Sequence, residues 1–238
     1  MFLFKMSIPD AIRSLQQISS FGLGPQPTQQ QMLKAIERVE SQHPTSNSAE
    51  LEYWLGIAWR NYTAWFIRGD ERKSYLEKAV MHFKKAYTLE KGSSAAQWKT
   101  YASELGALLV QEALIRDLAQ GIPLLETVFQ STQDYEPLLC AYAEAIYKSG
   151  DFQKAAVVAT ELHRRAKKSK EWKDRVPPAP MRIAAMAYRA HIKQSQKDGK
   201  AKEAFAVSER LLQTGAATDN DQRIHEKLAK LAGKTRTP

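Results

Sequence analysis

Five histidines, one cysteine, a Gly-Lys-Thr triplet, a dense group of aromatic residues and a stretch rich in lysine and arginine are the places in this chain where chemistry could be done. The histidines, His43, His82, His163, His191 and His225, show neither His-x-x-x-His spacing nor an H-E-x-x-H run. They assemble no zinc site and read as surface residues. Gly233-Lys234-Thr235 has the ending of a phosphate-binding loop, but Leu228 stands where the motif needs its first glycine, and the segment reads as a polar tail. Cys140 follows Leu138 and Leu139 on an apolar helix face, which suits a small buried hydrophobe better than an activated thiolate. As the one cysteine it can form no intramolecular disulfide, which fits a reducing compartment. No catalytic constellation, cofactor motif or metal site emerges, so a non-enzymatic protein is expected.

Two features remain. The first is Tyr53, Trp54, Trp59, Tyr62, Trp65 and Phe66, spaced to form two stripes on one helix. One stripe runs through Leu55, Trp59, Tyr62 and Phe66, the other through Trp54, Ala58, Asn61 and Trp65. Burial on both sides explains such a helix; the alternative is that Trp54, Asn61 and Trp65 line a groove as anchors for a peptide. The second feature is residues 163–202, which hold thirteen Lys or Arg against Glu171, Asp174 and Asp198, a net +10 that leaves the rest of the chain near −1. Lys193, Lys197 and Lys200 recur at helical spacing, so a single like-charged stripe is expected there. Together with Arg164, Arg165, Lys168 and Arg189 they are candidates for holding an acidic partner; solvation of exposed helices is the plainer reading. Nucleic acid is a weaker partner than protein, because Trp172 and Tyr188 are the only aromatics in that stretch to stack on bases.

The elements that must position these residues read as helices throughout. Apolar residues recur every three and four positions, with no run of period-two alternation. Punctuation by Gly, Pro and capping residues divides the chain into roughly eleven helices. The first ends near Ser19-Ser20, followed by a Gly22-Leu23-Gly24-Pro25-Gln26-Pro27 linker. The second is expected over 28–42. A third, capped by Asn47 with Glu50, ends at Gly69, and Asp70 caps a fourth that Gly92 stops. A long fifth runs from Ser93 or Ser94 to about Ala119, with Gly121 and Pro123 marking the next boundary. Val176-Pro177-Pro178-Ala179-Pro180 breaks the second half, and the last helix covers 218–232. No apolar stretch approaches the ~20 residues of a membrane span, and Met1 to Met6 lacks the pattern of a secretory signal, so a cytoplasmic location is expected.

Residues 138–162 carry a repeat signature. Leu139, Tyr142, Ala143 and Ile146 lie on one helix, Gly150-Asp151 makes the turn, and Ala155, Ala159 and Leu162 follow. This resembles the tetratricopeptide repeat family, in which small residues let paired helices approach and large ones fill the hollow beside them. Leu55-Gly56 and Trp59 with Ala79, Phe83 and Ala86 resemble a second unit, Tyr188 and Ile192 with Ala204 and Leu211 a third, and Trp98, Ala102 and Leu105 with Leu125 and Phe129 a fourth. The resemblance implies an all-α, right-handed superhelix of antiparallel helical hairpins over 48–217, with an N-terminal arm or cap over 1–47 and a capping helix and tail over 218–238. It also implies a scaffold or adaptor that takes a peptide or partner helix in a concave groove. The family's carboxylate clamp is not implied here, since Cys140 and Glu144 occupy the corresponding flank.

Overall fold

A computed structural model describes residues 6–20, 26–91 and 96–233. The expected breaks at Gly22 to Pro25, the Gly92 stop, the Ser93 or Ser94 start and the Lys234-Thr235 tail lie outside them. Among the described residues every regular element is a helix: α1 (Ile8–Ser19), α2 (Gln29–Gln42), α3 (Ala49–Phe66), α4 (Arg72–Glu90), α5 (Gln97–Gln111), α6 (Leu118–Ser131), α7 (Cys140–Lys148), α8 (Phe152–Lys168), α9 (Ala179–Lys197), α10 (Ala201–Leu212) and α11 (Asp219–Leu231). None of these is long and apolar enough to cross a membrane.

Short-range chemistry starts several of them. Thr28 accepts from Gln31 N at 3.3 Å while Gln31 accepts from Thr28 N at 2.9 Å, satisfying two of the amides that α2 leaves free. Thr218 and Asp221 repeat the device at α11. Gly150 takes φ +91° to turn the chain, and Asp151 then caps α8 through Lys154 N at 3.0 Å.

Several boundaries differ from the sequence reading. Ser48, not Asn47, caps α3, accepting from Leu51 N at 3.2 Å. α3 stops at Phe66, and a 3₁₀ turn over Gly69–Glu71 leads into α4 with no cap from Asp70. The long fifth helix is two, because Glu112 takes up an extended conformation and Asp117 N returns to Leu109 O at 2.9 Å. Gly121 and Pro123 therefore lie inside α6 and mark no boundary. Gly121 is there for space: a Cβ on it would sit 2.6 Å from Val110 Cγ1 of α5.

The chain forms two compact units, 1–124 and 125–238. In the first, α1 and α2 pack on α3, α3 on α4 and α4 on α5, so the helices before residue 48 belong to the packed unit. Leu15, Met32, Ile36, Leu51, Leu55, Trp59 and Phe83 are its buried centre. In the second, α7 packs on α8, α9 meets α7, α8 and α10, and α10 carries α11. Leu139, Tyr142, Ala143, Ile146, Ala155, Ala159 and Leu162, the signature residues of 138–162, are all buried.

α3 and α4 also approach closely. A Cβ on Gly56 would stand 2.7 Å from two ring carbons of the fully buried Phe83. Gly56→Ala would gain ~1 kcal/mol of helix propensity but overpack a ring with nowhere to move, at 1–3 kcal/mol by order of magnitude. A net loss of about 1 kcal/mol is expected, read as a lower urea midpoint with an unchanged slope.

Candidate functional site

The aromatic helix α3 divides by face. Trp59 and Tyr62 are fully buried, and Trp59 stacks on Tyr75 at 5.7 Å between ring centroids. On the other stripe Ala58 is fully buried and Asn61 Nδ2 donates to Ser19 O at the end of α1, 3.0 Å away, so the middle of that stripe serves helix packing. Its two ends, Trp54 and Trp65, stay half-buried. Trp54 meets the Tyr53 ring edge-on at 5.4 Å, and Trp65 meets Phe66 in the same way at 6.2 Å.

None of the five histidines is an exposed surface residue, and His43 and His82 are buried. His82 on α4 bridges two carboxylates, its Nδ1 lying 2.7 Å from Glu52 of α3 and its Nε2 2.9 Å from Glu40 of α2. Trp59 Nε1 donates to the same Glu40 oxygen at 2.7 Å, and Lys85 Nζ reaches the other oxygen of Glu52 at 2.6 Å. Lys78 Nζ lies over the Trp59 ring at 4.1 Å. This closed network ties three helices together. Reading the histidines as surface residues missed this, and the local signal was only for burial, since His82 falls beside Ala79, Phe83 and Ala86, while nothing near it in sequence points to Glu40 or Glu52. Among the described residues no three His, Cys, Asp or Glu side chains gather as metal ligands.

Burial alone would push the His82 imidazole down, but the hydrogen bonds and negative charges of Glu40 and Glu52 reverse this and hold it above its ordinary 6.5. Burial would raise the two carboxyls, yet the hydrogen bonds from His82 and its charge hold both below 4.5. The raised imidazole contributes stability that is complete below 6.5 and lost as pH rises through its folded pKa. The depressed carboxyls contribute above 4.5 and lose it as pH falls. The melting temperature is therefore expected to be highest between those values and to decline on the alkaline side, with His82→Gln removing that decline. His82→Ala should cost about 3 kcal/mol in chemical denaturation, the lower end for a broken buried pair because Lys85 still reaches Glu52.

The basic segment is dispersed. Lys197 ends α9, Gly199 turns the chain at φ +71°, and Lys200 lies just before α10, so Lys193, Lys197 and Lys200 do not share one helix stripe. All three are exposed, and Lys200 Nζ stands 3.8 Å from Glu203. Arg189 is committed inside the second unit, donating to Asp221 at 2.7 Å and to Ala216 O at 3.0 Å. That pairing, offset in part by burial, holds the Asp221 carboxyl down at about 2. Arg189 is half-buried, whereas Arg165 is buried, donating to Glu161 and to Phe129 O, with its guanidinium over the Phe129 ring at 4.2 Å. Lys168 is exposed at the end of α8. Arg164 is exposed and grips Glu161 with two donors, at 2.6 and 2.5 Å.

Part of the charge does converge. A groove of about 670 Å³ across α8, α9 and α10 is walled by Arg164 and Lys167, by Arg210, and by the apolar Val157, Met181 and Tyr188. Val157 is 56% exposed there. Arg210 lies outside the basic stretch of sequence and joins it only because α10 packs beside α9. His163 adds no charge to the wall at neutral pH, since burial and then Lys167 hold it below 6.5. Lys197 lies ~24 Å along α9 from Met181 at 1.5 Å rise per residue. Cys140 is not activated: burial pushes its thiol up, and the opposing contact with Tyr135 Oη, 3.6 Å from Sγ, does not overcome this. No family model and no curated protein matches this chain.

Proposed function

We propose that the protein is a non-enzymatic interaction module of tetratricopeptide-like hairpins, stacked within each unit with the right-handed turn that such pairs adopt, and that it holds an acidic, amphipathic segment of another protein. The groove across α8, α9 and α10 carries this reading. It sets Lys167 and Arg210, beside an Arg164 paired to Glu161 on the same wall, around Val157, Met181 and Tyr188, and side chains from three successive helices contribute. An apolar floor with a charged rim suits a helix whose one face is apolar and whose flanks are acidic. Helical neighbours support the repeat reading, because α9 packs on both helices of the preceding pair. A nucleic acid would find little to stack on: Trp172 is packed edge-on against Tyr135 at 5.7 Å, which leaves Tyr188.

The test is fluorescence anisotropy with a labelled amphipathic helical peptide bearing glutamates beside a leucine face. Saturable binding is expected, and Lys167→Glu with Arg210→Glu should weaken it at least about tenfold, since two rim charges of ~1 kcal/mol each exceed the 1.4 kcal/mol of one decade. Lys193→Glu with Lys197→Glu should leave it unchanged. Binding indifferent to the first pair contradicts the proposal. Affinity for an oligonucleotide duplex falling steeply with log salt, with none for the peptide, would replace it with nucleic-acid binding.

A further inference from the structure

The first unit has a groove of opposite character, and it does not depend on the reading given to the second. About 600 Å³ in volume, it lies where the start of α3, the end of α4 and the start of α5 meet. Among the described residues its lining contains two carboxylates, Glu50 and Glu90, and no Lys, Arg or His, in a chain whose formal charge is +9. Three aromatic rings form its floor. Tyr53 lies between the other two, its centroid 5.4 Å from Trp54 and 5.0 Å from Tyr101. Beneath, Tyr53 rests on Phe83 at 6.0 Å, and Tyr101 is buried against Ala49 and Ala86, so the rings are fixed before anything binds.

The electrostatics agree. Burial first, then the negative charges of Glu90 and Glu50, hold the Tyr101 phenol above its ordinary 10.0, which places both carboxylates within reach of that floor. The end of α4 adds the partial negative charge of its terminal carbonyls. Ser48 caps the start of α3, and Glu50 and Glu52 in its first turn offset the opposite end charge there.

We infer that this groove binds a basic peptide segment of a partner, seating a lysine or arginine side chain on the Tyr53, Trp54 and Tyr101 rings between Glu50 and Glu90. Aromatic faces attract ammonium and guanidinium groups within about 6 Å of a ring centroid, and the attraction rises when water is excluded. The carboxylates then complete the cation's partners.

The test uses the full-length protein and a capped hexapeptide containing two lysines and one arginine, with a glutamate version of the same peptide as control. Tryptophan emission is expected to change saturably with the basic peptide alone, and the affinity to fall as salt is raised. Gln97→Lys and Thr100→Lys place a positive charge on exposed rim positions of α5, where folding should be unaffected, and circular dichroism with thermal melting checks that. Each is expected to weaken binding about tenfold or more, and Glu50→Gln several-fold. The inference is overturned if the basic peptide gives no saturable signal, if the glutamate peptide binds as well, or if neither lysine substitution changes the affinity. Lys167→Glu with Arg210→Glu should leave this signal intact, which separates the outcome from that of the acidic-peptide titration.

Discussion

A helix of a few turns with one apolar stripe cannot hide that stripe alone, and in each unit of this protein helices hide it against their neighbours. The constraint shows most plainly at α3, which is apolar around most of its circumference because α1, α2 and α4 all pack on it. Where two helices must come closest, a side chain has been dispensed with: Gly56 accommodates the Phe83 ring and Gly121 accommodates Val110. Packing of this density leaves little freedom, so a single added methyl group is felt.

Burying so many faces also takes polar groups out of water, and the protein deals with them in closed sets. Glu40, Glu52, His82 and Trp59 satisfy one another across α2, α3 and α4. Arg165 with Glu161 and Phe129 O, and Arg189 with Asp221 and Ala216 O, do the same in the second unit. A charge in such a place is costly when its partner is missing, so each set favours one pairing of helices over any slipped alternative. The same economy separates working surface from scaffold. Arg165 and Arg189 are cations whose donors are turned inward, whereas Lys167 and Arg210 stand on the wall of an open groove.

What could be read from the sequence follows from the range of the interactions. Turns and helix starts are local, so the second and last helices open at Thr28 and Thr218 and Gly150-Asp151 turns the chain where their letters put them, whereas the caps read at Asn47 and Asp70 miss, Ser48 capping α3 and no side chain capping α4. The α-helical class was equally legible, because apolar spacing survives in any window of a dozen residues. The break after Gln111 was not, since Glu112 to Asp117 contains neither Gly nor Pro and only the returning bond to Leu109 O ends α5. Gly121 misled for a related reason: in sequence a glycine looks the same whether it turns the chain or makes room. Asp198-Gly199 gave warning that Lys200 leaves the α9 stripe, yet the fate of Arg189 rests on Asp221, 32 residues away, and no local pattern announces that. Arg210 was hidden in the same way, outside the basic stretch and brought to it by packing.

Two grooves of opposite charge, each lined in part by apolar or aromatic side chains, lie one in each unit. The claim that matters most is that cations and apolar side chains from α8, α9 and α10 act as one surface. Hydrogen exchange on the intact protein, with and without a saturating acidic amphipathic peptide, addresses it directly. The account predicts slower exchange around 157–167, 181–188 and 210–214 together, with 193–202 unaltered. Protection centred on 193–202, or none in those three segments while the peptide is bound, would contradict it.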